Sequence, residues 1–177
     1  MRIITGSARG RRLIAPEGTD VRPTTERVKE ALFSIIQFEI EGRRVLDLFA
    51  GTGQLGLEAL SRGAAFALFV DQDKRSMEIV RKNIAITGFS AVSETVQREA
   101  SAYLRTAREP FDIVFMDPPY GRGLCEKAAE DLPRVLKPTS VVICETHADE
   151  ALPEAIGELP QAKVYRYSTV KLTVYRK

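Results

Sequence analysis

Val45-Leu46-Asp47-Leu48-Phe49-Ala50-Gly51-Thr52-Gly53-Gln54-Leu55-Gly56 decides the architecture. A short apolar run leads through a glycine-rich turn into an amphipathic segment. The expected structure is a buried strand over 45–50, a tight turn, and a helix over 55–62. The same alternation continues downstream. Strands are expected at 66–70, 92–97, 111–116 and 141–144, with helices at 74–86, near 102–106 and over 125–136. Strands alternating with helices predict a parallel sheet covered on both faces. After a short helix around 151–156, the runs 164–168 and 170–175 follow one another with no room for a crossover. Two such neighbours close as an antiparallel hairpin.

Upstream, residues 2–15 alternate and contain Gly6 and Gly10, the pattern of a short hairpin or arm. Arg22-Pro23-Thr24-Thr25-Glu26 reads as a helix start with Thr24 or Thr25 as N-cap. Val28, Ala31, Leu32, Ile35 and Ile36 carry its apolar stripe to about Phe38. No repeat, low-complexity tract or linker divides the 177 residues. One α/β domain is therefore expected, Rossmann-like and mostly parallel, with a basic arm over 1–21 and a catalytic core over 22–177.

Hydrophobic content of 44% with 28% charged residues places the chain among ordinary globular proteins. Two cysteines, Cys125 and Cys144, and one histidine, His147, argue against a disulfide framework or a metal site. No segment approaches the roughly 20 apolar residues that span a bilayer. The opening Met1-Arg2-Ile3-Ile4-Thr5-Gly6 lacks the apolar run of a secretory signal. A cytoplasmic protein without membrane or metal partners is the expectation. Residues 1–15 carry +4 and residues 160–177 carry +5, leaving −7 between them. Basic ends around an acidic middle suit a polyanionic partner.

Gly51-Thr52-Gly53-Gln54-Leu55-Gly56 satisfies G-x-G-x-x-G, and Asp71 ends the next strand where a ribose-binding acid belongs. That pattern alone admits a dinucleotide or another nucleoside cofactor. Asp47 separates them. An ionised acid beside this turn would repel a pyrophosphate, whereas S-adenosylmethionine has none and presents an ammonium. A charged hydrogen bond of that kind contributes about 1.5–3 kcal/mol. Asp47, Phe49, Gly51 and Gly53 are thus candidates around the cofactor, with Asp71 for the ribose and Glu99 and Ala100 bordering the adenine.

Asp117-Pro118-Pro119-Tyr120 follows the strand 111–116. Two prolines fix two φ angles and remove two donors, so the chain leaves the sheet in a rigid turn with the Pro118 carbonyl free to accept. An aromatic exocyclic amine is a poor nucleophile because its lone pair is delocalised. Two acceptors on its N–H bonds, the Asp117 carboxylate and that carbonyl, favour a pyramidal nitrogen. Tyr120 adds a ring on which a base can stack, worth about 1–3 kcal/mol elsewhere.

Together the glycine turn and Asp117-Pro118-Pro119-Tyr120 resemble the class I amino-methyltransferases. Arg2-Ile3-Ile4, Gly10-Arg11-Arg12-Leu13, residues 22–33 and residues 55–64 narrow this to the bacterial RsmD family, guanine-N2 methyltransferases of 16S ribosomal RNA. The resemblance covers nearly the whole chain, more loosely after Glu145. It implies a seven-stranded sheet ending in an antiparallel hairpin, S-adenosylmethionine as cofactor, and one guanine within the small ribosomal subunit or its assembly intermediate as substrate. It assigns the base to residues 117–120. The basic residues Arg9, Arg11, Arg12, Arg22 and Arg27 are the RNA-contacting candidates, with residues 22–27 expected over the active site.

Four rival readings fit these residues less well. A DNA adenine-N6 methyltransferase usually carries a target-recognition insertion for which 177 residues leave no room. A protein-glutamine methyltransferase would show Asn where this chain has Asp117. A dinucleotide oxidoreductase is opposed by Asp47, and a non-catalytic RNA-binding module by the intact cofactor turn.

Overall fold

The computed structural model describes residues 1–16 and 26–177. The central strands are apolar on both faces because both are covered, and alternation along each strand sorts their side chains into two cores. One core takes Val45, Phe69, Phe115 and Ile143 and packs them under α1 (Glu26–Ile35), α2 (Gln54–Ser61) and α3 (Lys74–Thr87). The other takes Leu46, Leu68, Val114 and Cys144 under α4 (Ala100–Leu104) and α5 (Leu124–Asp131).

The strands are β1 (Arg44–Asp47), β2 (Phe66–Asp71), β3 (Ser93–Gln97), β4 (Phe111–Met116), β5 (Leu136–His147), β6 (Ala155–Ile156), β7 (Leu159–Tyr167) and β8 (Val170–Tyr175). Their order is β3-β2-β1-β4-β5-β8-β7-β6. From β3 to β5 the neighbours run parallel, and β8 returns antiparallel between β5 and β7. The chain builds outward from β1 through β2 to β3, then crosses back to lay β4 on the other side of β1. The order therefore reverses between β1 and β4, where open α/β sheets bind ligands.

The seven expected strands and the closing hairpin are present. Residues 151–156, expected as a helix, instead end in the two-residue β6, which pairs with β7 and adds an eighth strand at the edge. The helix expected over 125–136 stops at Asp131, gives a 3-10 turn over Leu132–Val135, and passes into a β5 that starts earlier than its apolar core. Pro133 explains the change, since it cannot continue an α-helix. Helix α1 ends at Ile35 rather than near Phe38, leaving Phe38 93% exposed. The proposed caps Thr24 and Thr25 lie outside the described residues.

The N-terminal hairpin is an ordered part of the first core. Arg2 and Arg12 form an antiparallel bridge, and Ile3 and Leu13 are buried. The backbone N–H groups of Ile4 and Thr5 donate to the Glu58 carboxylate at 2.8 and 3.0 Å. Ser61 Oγ accepts from Ala8 N–H and donates to the Thr5 carbonyl. At Gly6 the approach is so close that a Cβ would lie 1.7 Å from the Ser61 carbonyl oxygen. Buried Lys29 stands 3.5 Å from Glu58 and donates to the Arg2 carbonyl. Burial pulls the Lys29 ammonium below its ordinary pKa range, and Glu58 opposes that pull.

Candidate active site

The carboxyl ends of β1 and β4 lie side by side, with Asp47 in register with Phe115. The turns leaving these two strands line one cavity of about 900 Å³, well inside the range of small-molecule sites. Asp47, Phe49 and Gly51 enter it from β1, Asp71 from β2, and Glu99 and Ala100 from the start of α4. Asp117, Pro118, Pro119 and Tyr120 close it from β4.

Each carboxylate on the β1–β3 side is tied to a nearby backbone. Gly53 is the N-cap of α2 and has no side chain to cap it; Asp47 Oδ2 accepts from Gly56 N–H at 2.9 Å instead. Asp47 is buried, and that burial raises its pKa to about 8, with the Gly56 bond opposing and Asp117 and Asp71 adding repulsion. Without a cation beside it, that shift favours the protonated carboxyl near neutral pH. Asp71 accepts from Gly51 N–H and Asp73 N–H, both at 2.9 Å, so it also braces the glycine turn. Glu99 caps α4 through Ala102 N–H at 2.8 Å and pairs with Lys127. Burial alone would raise the Glu99 pKa, but the Ala102 and Ser101 N–H groups and Lys127 outweigh it and hold the carboxyl below its usual value.

Gly53 does not line the cavity. It sits beneath the turn, where an added Cβ would be 3.3 Å from the Phe69 ring. Gly56 serves close packing more strictly, since a Cβ there would meet the same ring at 2.4 Å. The third glycine of the motif thus seats α2 on β2.

On the opposite wall, Pro118 is buried, Pro119 exposed, and Asp117 and Tyr120 half-buried. The Tyr120 hydroxyl donates to Glu145 Oε1 at 2.7 Å, and Gly121 N–H to Glu150 Oε1 at 3.0 Å. Sequence reasoning missed both acids, which stand in or just beyond β5 without a recognisable motif. It also missed Arg122 at the rim and the arm residues Met1, Ala15 and Pro16, which form part of the wall. Asn83 ties this arm down by accepting from Ile14 N–H and donating to the Ile14 and Thr52 carbonyls.

The expected RNA-contacting residues divide. Arg9, Arg11 and Arg12 are exposed on the hairpin and Arg27 is exposed on α1, and none makes an ion pair with a described residue. Arg22 lies outside the described residues. The basic C-terminal end is largely spent within the fold. Arg176 pairs with Glu39 and Lys177 with Glu158, while Lys171 donates to the Glu150 carbonyl and Arg166 to that of Ala148.

Among the described residues no group of three or more His, Cys, Asp or Glu side chains is arranged to hold a metal ion, and no helix is long and apolar enough to cross a membrane. Four aspartates (Asp47, Asp71, Asp73 and Asp117) and Glu99 around one cavity suit a ligand carrying positive charge and a diol. They oppose a pyrophosphate.

A family model described as Conserved hypothetical protein 95 matches residues 1–176. A Bacillus subtilis (strain 168) protein, provisionally named the rRNA methyltransferase YlbH, is 36% identical over 182 residues, spanning 100% of this chain and 99% of that protein. Ribosomal RNA small subunit methyltransferase D of Escherichia coli (strain K12) is 43% identical over 127 residues, or 72% of this chain and 64% of that protein. A solved Escherichia coli structure, provisionally named the methyltransferase yhhF, is similar with a TM-score of 0.89 at 35% identity, covering 100% of this chain and 97% of that one.

Proposed function

The chain belongs to the RsmD family, matched here as Conserved hypothetical protein 95, and from that premise we propose that it methylates the exocyclic N2 of one guanine in 16S ribosomal RNA, using S-adenosylmethionine. The observation that carries this reading is the single cavity into which the turns after β1 and β4 both open. The names of the relatives support ribosomal RNA as the substrate class.

S-adenosylmethionine supplies an electrophilic methyl group on a sulfonium, and the chain's contribution is placement. Asp71 accepts from the ribose hydroxyls. Asp47 accepts from the amino-acid end, with Phe49 and Gly51 shaping the adjoining wall and Gly53 the turn beneath. Glu99 and Ala100 border the adenine. The Asp117 carboxylate and the Pro118 carbonyl accept from the two N–H bonds of the guanine amine and turn its lone pair toward the cofactor. Pro119 stiffens the turn and Tyr120 stacks on the base. As the nitrogen takes the methyl group, with the S–CH3 bond breaking and its electron pair left on sulfur as a neutral thioether, the nitrogen sheds a proton, for which Asp117 would be the acceptor in the motif. Arg9, Arg11, Arg12 and Arg27, with Arg22, contact RNA phosphates. All of this is done by one domain acting in the cytoplasm on the small subunit or its assembly intermediate.

The test is nucleoside mass spectrometry of 16S RNA from small-subunit particles of a strain lacking this protein, before and after incubation with it and labelled cofactor. One N2-methylguanosine should be missing and then restored. Label on adenine N6, or none on RNA, would overturn the assignment.

A further inference from the structure

We propose that Glu145 is a positioning residue for methyl transfer, its buried carboxylate holding the Tyr120 hydroxyl and, through it, the ring against which the target base lies. This rests on the reading that Tyr120 stacks on the base. Tyr120 stands four residues beyond the end of β4, on a turn whose prolines have left the ladder, so sheet hydrogen bonds do not set its ring. The ring packs against the first core beside His147, and its phenol donates to Glu145 Oε1 at 2.7 Å.

The acceptor is on a stiff element. Glu145 lies in β5, directly opposite Leu172 of β8, and its neighbour Cys144 is opposite Met116 at the end of β4. The next residue of the turn is tied down as well. Gly121 N–H donates to Glu150 Oε1, an oxygen that also takes the His147 N–H at 3.1 Å. Consecutive residues of the turn are thereby referenced to β5 and the segment just beyond it.

Placing a carboxylate that is 2% exposed among apolar strand neighbours is costly, and an apolar side chain of similar size would pack there with less desolvation. What the carboxyl adds is an acceptor for the phenol at a fixed place on the strand, which an apolar side chain cannot supply. Stacking by itself accepts any base and any rotation in its plane. A ring held at one tilt restricts the base plane, so that its amine falls between Asp117 and the Pro118 carbonyl. Misplacement by an ångström can cost about a hundredfold in rate.

The experiment is single-turnover methylation of small-subunit RNA by the full chain, its Tyr120→Phe and Glu145→Gln variants, and the double variant. Cofactor affinity by calorimetry and thermal melting are measured on each. Each single variant should slow methyl transfer by about tenfold, with cofactor affinity and melting near wild type, and the double variant should be no slower than either single. Tyr120→Phe keeps a half-buried ring and removes one atom, so its result stands even if Glu145→Gln fails to fold. A wild-type rate in Tyr120→Phe, rate losses that multiply in the double variant, or a loss in Glu145→Gln matched by lost cofactor binding would overturn the proposal. Wild-type protein that transfers no methyl to RNA would instead overturn the functional reading beneath it, and the inference with it.

Discussion

The two walls of the cavity are held by different kinds of bond. On the β1–β3 side, carboxylates at strand ends grip backbone N–H groups close in sequence or across one crossover: Asp47 to Gly56, Asp71 to Gly51 and Asp73, Glu99 to Ala102. On the β4 side, the turn is held by acids 25 and 29 residues away, with Tyr120 on Glu145 and Gly121 on Glu150. The first wall is tied mainly among β1, β2 and the turns and helix starts that leave β1 to β3. The second is assembled only when β5 and the hairpin beyond it are in place. A cofactor wall that closes locally is preorganised before substrate arrives, whereas the base wall depends on the integrity of the whole sheet.

The comparison can be broken most severely at α2, which seats the cofactor turn and clamps the N-terminal hairpin. Glu58→Ala removes the acid beside buried Lys29 and the acceptor for Ile4 and Thr5. Removing one partner of a buried ion pair costs about 3–5 kcal/mol, to be read by chemical denaturation. A loss below about 1 kcal/mol would mean that Ser61 and Asn83 hold the arm without it.

Asp117→Ala should act chiefly on the base wall. Turnover should fall by about a hundredfold or more, with cofactor affinity near wild type. A near-normal single-turnover rate would remove Asp117 from the mechanism.

The cofactor wall is probed by pH. Asp47 keeps its proton up to about pH 8 in the folded chain but ionises near its ordinary value of 3.8 when unfolded. The folded state therefore binds one more proton between these values, and the cofactor-free chain loses stability from this group as pH rises through that window. A cationic ligand favours the ionised form. Affinity for S-adenosylmethionine should thus rise between pH 6 and 7.5, by up to about tenfold per unit, and Asp47→Asn should flatten the dependence. A flat calorimetric profile in wild type would refute the coupling.

The smallest effect separates the two basic ends. Arg9→Ala, Arg11→Ala or Arg12→Ala should each reduce the salt slope of RNA binding by about one, while Lys177→Ala, already paired to Glu158, should leave it unchanged. Equal slopes for the two sets would return the C-terminal end to the RNA surface.

What was legible in the sequence follows the same division. The glycine turn, Asp47, Asp71 and Asp117–Tyr120 could be read because each is a contiguous pattern with its own backbone requirement, and the parallel sheet could be read from the period of its strands. Glu145, Glu150, Glu58 and Asn83 could not. Each is a single polar residue whose partner lies tens of positions away, so no local spacing marks it. The strand at Ala155–Ile156 was misread because a two-residue edge strand carries no periodicity and depends wholly on pairing with β7. The basic tail looked free because Arg176 finds Glu39 137 residues away.

Helix α2 has one further consequence. Its eight residues measure about 12 Å, with the Asp47 bond in the first turn and the clamps of Glu58 and Ser61 on the N-terminal hairpin in the last. A rod gripped at both ends passes stiffness from one grip to the other. Occupying the sulfonium side should therefore slow amide exchange across the arginine-bearing hairpin without any change of shape, so that an enzyme charged with methyl donor offers RNA a firmer platform than an uncharged one.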